Sequence, residues 1–331
     1  MKILIVKHGA LGDVVRTSYF ARALKLKFKN SLELFWYTSV HSRELLQSNP
    51  YIDHVVTDIS DISKIEFDHI YSLDDEDLIL NNILCLDSKR LTGAYIHEGV
   101  QKYTEDAAVW FDMGLISVFG KAHADFLKKK NTLGHTKIFE QIFEVKDVVP
   151  HFFKDPHDTV DTYLNDLKPL TLIGINPYAG QRWPSKEIPE QELRHLIENL
   201  INRYDNNEKF RLLLLGAGQD RIRNMNMASL FDKKDKIMVL DTDQSVMKLA
   251  KYISILNLLI TSDSLAMHLA IAQRINTVAF FAPTSAEEID DFGKCIKLKS
   301  LSSDYCSYSP NCDNTSITSS RILDSISNIQ L

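Results

Sequence analysis

The turn Thr261-Ser262-Asp263-Ser264-Leu265-Ala266-Met267-His268 sets a carboxylate and an imidazole close together between two apolar segments, 253–260 and 277–281. That pattern predicts a buried strand, a polar turn exposing Asp263 and Ser264, and a helix whose first turns carry Met267 and His268. In open α/β sheets, ligands bind beyond the carboxyl ends of the strands. A helix N-terminus there offers unpaired N–H groups and a positive dipole end, which suits a phosphate. Asp263 and His268 beside it could hold a sugar and a nucleotide phosphate together. A solitary His268 would more often be a satisfied structural histidine. Its place just past Asp263 at a sheet edge favours a functional role.

Three further segments combine glycine turns with charge. His8-Gly9-Ala10-Leu11-Gly12-Asp13-Val14-Val15-Arg16-Thr17 lies between a first strand and a first helix. Its glycines permit a tight turn and close approach of a ligand to backbone. Asp13 falls at or just before the helix start, where it is either a working acid or a helix cap. The segment is not the GxGxxG of a dinucleotide site and lacks the GK[ST] of a P-loop. Asn176-Pro177-Tyr178-Ala179-Gly180-Gln181-Arg182-Trp183-Pro184-Ser185-Lys186 follows another predicted strand. Small residues there, including Gly180, leave amides open, and Lys186 is a point charge for phosphate or, more commonly, a solvated loop lysine. In Leu215-Gly216-Ala217-Gly218-Gln219-Asp220, the carboxylate of Asp220 suits a ribose hydroxyl, and a helix-capping Asp is an equally good account.

Those segments need elements to hold them, and the chain supplies two rounds of strand–helix alternation. Strands are predicted over 2–7, 32–37, 54–56 and 69–71, with helices over 14–27, 41–47, 76–84 and 136–143. Irregular helical insertions are predicted over 107–119 and 121–130, and a polar linker over 154–168. A second set has strands over 170–176, 210–215, 237–240, 256–261 and 277–281. Its helices span 190–204, 220–230, 245–253 and 264–273, and a closing helix spans 318–329. Such alternation implies parallel sheets covered on both faces.

Composition bounds the class. At 331 residues the chain suits two α/β domains. A net charge of −6 gives no global pull toward nucleic acid or anionic lipid. No apolar run reaches the roughly 18 residues of a membrane span, and Met1 to Val6 reads as a first buried strand rather than a signal peptide. The cysteines Cys85, Cys295, Cys306 and Cys312 are too sparse for a disulfide framework and fit a reducing cytoplasm.

In order along the chain, GALGDVVRT (9–17), NPYAGQRWPSKEIP (176–189), TSDSLAMHLAIA (261–272) and FFAPTS (280–285) resemble glycosyltransferase family 9, the ADP-heptose heptosyltransferases of bacterial lipopolysaccharide. The resemblance implies an α/β GT-B fold, two Rossmann-like domains with parallel sheets facing across a cleft. It divides the chain into an acceptor-binding domain over 1–160, a nucleotide-sugar domain over 169–316, and a closing helix within 317–331 that packs back on the first domain. The implied enzyme is a cytoplasmic inverting transferase, held at the inner face of the membrane through its acceptor. It takes ADP-heptose or a related ADP-sugar as co-substrate and a glycan or lipid-linked acceptor, with neither cofactor nor metal. By the same resemblance Asp13 matches the catalytic base, with Gly12 and Arg16 on the acceptor side. Lys186 matches the phosphate-contacting lysine, Asp263 the residue near the sugar hydroxyls, and His268 the histidine by the pyrophosphate. Ser264, Leu265 and Ala266 fall where backbone amides meet phosphate, and Met267, Asn176, Gly180 and Asp220 complete the donor side.

Departures from the family pattern carry expectations of their own. Leu265-Ala266 replace the usual Gly-Pro, which predicts a differently shaped phosphate turn. Cys295, Cys306 and Cys312 are dispersed and fall short of a four-ligand zinc site. The stretches 110–113 and 121–130 differ from the best-known members on the acceptor side. Two rivals share the architecture: a sugar-nucleotide epimerase and a non-catalytic nucleotide-sugar binding protein. The intact Asp13 weighs against the second.

Overall fold

The computed structural model describes residues 1–153, 166–180, 183–243, 245–327 and 329. Most of the linker expected over 154–168, Gln181 and Arg182 of the second motif, and the last two residues lie outside them. The chain divides into two compact units, the first made of the described residues to 153 together with 287–290, the second of the rest.

The first unit runs β1 (Lys2–Val6), α1 (Leu11–Phe28), β2 (Glu33–Tyr37), α2 (Arg43–Leu46), β3 (His54–Val56), β4 (Glu66–Phe67), β5 (His69–Ser72), α3 (Asp77–Ile83), β6 (Asp87–Ser88), β7 (Leu91–His97), β8 (Val100–Tyr103), α4 (Ala108–Phe111), α5 (Lys121–Lys130) and α6 (His135–Ile142). Its main sheet has the order β3-β2-β1-β5-β7-β8. All neighbours are parallel except β7 and β8. β1 is sealed on both faces, with Ile3, Leu4, Ile5 and Val6 fully buried, so it reads as a continuous apolar run. α1 covers one face through Val14, Val15, Phe20, Ala21 and Leu24, and its ends match the helix dipole, with Asp13 in the first turn and Lys25 and Lys27 in the last.

The second unit runs β9 (Thr171–Asn176), α7 (Glu190–Arg203), β10 (Phe210–Leu214), α8 (Gln219–Ser229), β11 (Ile237–Val239), α9 (Val246–Ile253), β12 (Leu258–Ser262), α10 (Leu265–Ala272), β13 (Asn276–Phe281), β14 (Cys295–Lys299) and α11 (Ser319–Ser325). Its sheet, β11-β10-β9-β12-β13-β14, is wholly parallel. A core of Ile173, Ile175, Leu196, Ile197, Phe210, Leu212, Ile260 and Val278 joins β9, β10, β12 and β13 to α7.

Four expectations are corrected. The helix expected over 107–119 is helical only at Ala108–Phe111 after a short 3-10 turn. Tyr103 is the physical reason: its hydroxyl donates to Asp112 Oδ1 at 2.6 Å and accepts from Val118 N at 3.1 Å, drawing the chain out of the helix. The hairpin β7–β8 and the edge strand β14 stand where no element was expected. The closing helix is shorter than 318–329, and it packs on α7, with Ile322 and Ile326 in the second unit's core. Glu192 fixes it there by accepting from Ser319 N at 2.7 Å and Ser319 Oγ at 2.9 Å. Finally, residues 287–290 belong with the first unit: Asp290 Oδ2 accepts from Thr136 N at 2.7 Å and Glu288 O from His135 N at 2.9 Å.

Candidate active site

In both sheets the strand order reverses beside the first strand of the unit, between β1 and β5 and between β9 and β12. That is where an open α/β sheet leaves room for a ligand. The residues singled out in the sequence gather at these two places.

In the first unit β1 hands over to Lys7-His8-Gly9-Ala10, and α1 begins at Leu11 with Ala10 as its cap. Asp13 is therefore the third residue of the helix, not its cap, and Gly12 is a buried second residue. Arg16, one turn on, places Nη2 2.7 Å from Asp13 Oδ1 and lies 5.7 Å over the Trp110 ring. Asp13 keeps 32% of its side-chain surface, so it reaches solvent. Below it Lys7 Nζ meets Asp74 Oδ1 at 2.6 Å across the β1–β5 junction, and Asp74 Oδ2 accepts from His8 N at 2.5 Å. Burial pushes the Lys7 ammonium down, but the carboxylates of Asp74 and Asp13 outweigh it and hold Lys7 above the ordinary lysine value. His8, quoted in the sequence motif without a role, stacks edge-on against Tyr37 at 4.2 Å. Burial and the Lys7 charge push its imidazole below the usual histidine value against the pull of Asp74. Its Nε2 is buried without a hydrogen-bond partner among the described residues.

In the second unit β9 ends at Asn176, whose amide donates to Ser264 Oγ at 3.0 Å and to Thr261 Oγ1 at 3.3 Å. The chain leaves through Gly180, whose φ of +75° favours glycine, and returns in a 3-10 turn, Pro184–Lys186. Lys186 Nζ meets Asp263 Oδ2 at 2.7 Å and Asp263 O at 3.3 Å, and lies 5.8 Å over the Trp183 ring. Asp263 Oδ2 also accepts from Thr284 Oγ1 at 2.7 Å. Burial alone would raise this carboxyl. The Lys186 and His268 charges and the hydrogen bonds from Lys186 and Thr284 overcome it, and Asp263 lies below the usual carboxylate range. Ser264 caps α10 in extended backbone (φ −149°, ψ 177°), and Leu265 opens the helix. Neither Leu265 nor Ala266 needs positive φ, so the turn forms without the glycine usual in the family. The side chains of Ala266, Met267 and His268 are buried. The amide of Met267 donates to Ser264 O at 3.1 Å, so Met267, expected on the donor side, does not offer a ligand its amide, which leaves that role to Leu265 and Ala266.

A third cluster sits beside this one. Gly218, with φ +54°, precedes α8, so Asp220 is the second helical residue and not the cap. Asp220 pairs with Arg223 Nη1 at 3.3 Å, and Arg223 grips Glu187 through both nitrogens at 2.7 and 3.1 Å while its Cζ lies 3.7 Å over the Tyr178 ring. Burial pushes the Asp220 carboxyl above its ordinary value despite Arg223. Glu187, next to Lys186, ties the two clusters together.

Thr284, Glu187, Arg223, Tyr178, Lys7 and Asp74 received no role in the sequence reading. Thr284 carried a signal as part of FFAPTS, and Tyr178 and Glu187 as part of NPYAGQRWPSKEIP; Arg223, Lys7 and Asp74 carried none. Among the described residues, no group of three or more His, Cys, Asp or Glu side chains is placed to hold a metal ion, and no helix is long and apolar enough to cross a membrane.

Comparisons with known proteins bear on the fold and the family. The solved glycosyltransferase family 9 protein of Veillonella parvula superposes with a TM-score of 0.75 at 17% identity, over 99% of this chain and 96% of that one. The E. coli ADP-heptose lps heptosyltransferase II gives 0.69 at 16%, over 99% and 98%. E. coli heptosyltransferase WaaC with ADP gives 0.63 at 13%, over 98% and 97%. At such identities these likenesses carry the fold, which is the GT-B fold of two parallel-sheet units. No curated protein matches the chain by sequence. Residues 132–315, more than half of the chain, match the model of glycosyltransferase family 9 (heptosyltransferase), and the chain belongs to that family.

Proposed function

We propose that this glycosyltransferase moves a heptose or closely related sugar from an ADP-sugar to an acceptor hydroxyl, with inversion, in the synthesis of lipopolysaccharide or another surface glycan. The observation that carries the reading is the Lys186–Asp263 pair at the amino end of α10. An ammonium has three N–H donors, and Asp263 takes two of them through Oδ2 and its carbonyl oxygen. One donor is left for a phosphate oxygen. The first amides of α10 have no intrahelical acceptor and present the positive end of the helix dipole. Together they suit a pyrophosphate, with Asp263 near the sugar hydroxyls and His268 beside it. Asp220 suits a ribose hydroxyl.

In the reaction the acceptor oxygen bonds to the anomeric carbon, the bond from that carbon to the phosphate oxygen breaks, and the hydroxyl proton passes to Asp13. A hydroxyl is a poor nucleophile until a carboxylate takes its proton. Lys186 and the α10 amides stabilise the negative charge that grows on the departing ADP, as preorganised dipoles do. No metal enters this scheme. The acceptor in this reading is a glycan, a lipid-linked sugar or another hydroxyl-bearing molecule, and a lipid-linked one would bring the enzyme to the cytoplasmic face of the membrane. Incubation with ADP-heptose and a candidate acceptor, beside a control without acceptor, tests the reading. Sugar transfer with release of ADP is the expected result. Conversion of the donor without an acceptor would mean an epimerase, and binding without turnover a nucleotide-sugar receptor.

A further inference from the structure

α5 turns its aromatic side away from the protein. A helix on a globular surface lays its apolar stripe on the core, yet the buried residue of α5 is Ala124. Phe119, His123, Phe126 and Lys130 follow one another at spacings that line one side of a helix. Phe119 is 58% exposed and Phe126 53%. The His123 ring bridges them at 5.1 and 6.0 Å, and Lys130 Nζ lies 5.9 Å over Phe126. Leu115 and Val118, just before the helix, are exposed as well. Lys121, Lys128, Lys129 and Lys130 stand against the single acid Asp125, which pairs with Lys121 at 2.5 Å. The stretch thus carries three surplus positive charges on a chain whose net charge is −6.

Exposed phenylalanines flanked by lysines are the composition of a helix that lies in a bilayer interface, with rings at the headgroup–acyl boundary and ammonium groups against anionic headgroups. We propose that Leu115, Val118, Phe119 and Phe126, with the lysines of α5, form a docking surface for an anionic membrane. Charge complementarity selects this occupant. A second copy pairing through the same face would set lysine against lysine, and a soluble anion would leave the phenylalanines exposed. The proposal deepens the reading in which a lipid-linked acceptor draws the enzyme to a membrane.

The test is co-sedimentation of the full chain with phosphatidylcholine vesicles, with and without phosphatidylglycerol, at low and raised salt. It contains neither donor nor acceptor, so its failure would leave the transfer reading standing. Binding should need phosphatidylglycerol and weaken with salt. Phe119→Ser with Phe126→Ser, and separately Lys128→Gln with Lys129→Gln and Lys130→Gln, should each weaken it by about tenfold or more, at unchanged melting temperature. Should either set fail to fold, Phe126→Trp supplies a second readout: brominated lipid should quench its fluorescence beyond that of the wild type. Equal binding to neutral vesicles, no binding, or full binding by the phenylalanine variants would overturn the proposal. So would a concentration-dependent dimer that the phenylalanine variants abolish.

Discussion

The two units solve the same problem with the same pair of residue types. At each reversal of strand order a lysine from the loop after the first strand meets an aspartate from the loop after its neighbour: Lys7 and Asp74 at 2.6 Å, Lys186 and Asp263 at 2.7 Å. Both pairs are mostly buried. They differ in what surrounds them. Lys7 follows directly on β1, and Asp74 spends its second oxygen on the amide of His8, so the pair fixes the loop that leads into α1 and Asp13. Lys186 arrives on a long loop and a 3-10 turn, and Asp263 stands at the head of α10 beside open amides. The first pair clasps the fold, and the second is the one proposed above to meet the pyrophosphate. The same ion pair therefore predicts different consequences when broken.

The largest effect is expected at the residue the first clasp supports. Asp13→Asn keeps shape and helix but cannot take a proton, so turnover should fall by at least about a hundredfold. Donor affinity should barely move, and the melting temperature should fall only slightly, because the amide keeps the shape while the ion pair with Arg16 and the charge in the first turn of α1 are lost. Near-normal turnover would put the base elsewhere, and an unfolded variant would give Asp13 a structural role instead.

Next come the lysines, compared directly. A hydrogen bond to a charged group is worth about 1.5–3 kcal/mol, so Lys186→Ala should weaken ADP binding about ten- to hundredfold by calorimetry. Lys7→Met should leave ADP affinity intact and lower the melting temperature, since breaking a fully buried pair costs roughly 3–5 kcal/mol. Equal loss of ADP affinity in both would erase the distinction. Acid sharpens it. Asp263 lies below its ordinary range, so it contributes stability above the unfolded value of about 3.9 that fades as pH falls through the folded value. Without Lys186 its first opposing charge is gone and burial dominates. The stability gap between Lys186→Ala and wild type should then narrow as the medium is acidified toward pH about 4, and a constant gap in denaturant titrations would count against the pair.

Most of the alternation was legible because buried parallel strands such as 171–176 and 258–262 carry apolar centres, 172–175 and 258–260. The hairpin β7–β8 was not, although Glu98 and Gly99, both at positive φ, form the tight turn between its strands. Glu-Gly is a weaker written signal than Asn-Gly, and Gly93 interrupts the first strand. At the site, loops carrying glycine beside charge announced themselves. Lys7–Asp74 and Glu187–Arg223 did not, because their partners are far apart in sequence and only strand order brings them together.

Asp220 should matter less than Lys186, since it is half-committed to Arg223. Asp220→Asn keeps an acceptor oxygen but removes its charge, so the bond to ribose weakens from about 1.5–3 to about 0.5–1.5 kcal/mol, and ADP affinity should drop by no more than about tenfold. The deoxyribose analogue lacking the hydroxyl that Asp220 holds should show no difference between variant and wild type. A difference that persists would mean Asp220 acts through Glu187 and Arg223 rather than on the sugar.

The smallest expected effect is that of chelation. A pyrophosphate needs positive charge as its bond to the sugar breaks, and many transferases would draw it from a divalent ion. Here Lys186 and the amino end of α10, equivalent to roughly half a positive charge, stand where that ion would act. The Asp-x-Asp of the second unit, Asp241 and Asp243, is already engaged. Asp241 Oδ1 accepts from Asp243 N at 3.0 Å, and Asp243 accepts from Gly218 N and faces Arg221 at 3.5 Å. Transfer should therefore run at the same rate in excess EDTA, and Lys186→Ala should not be rescued by added Mg²⁺. If chelation abolished transfer and Mg²⁺ or Mn²⁺ restored it, the second clasp would be a scaffold like the first, and the charge on the leaving group would be met by an ion that this loop does not hold.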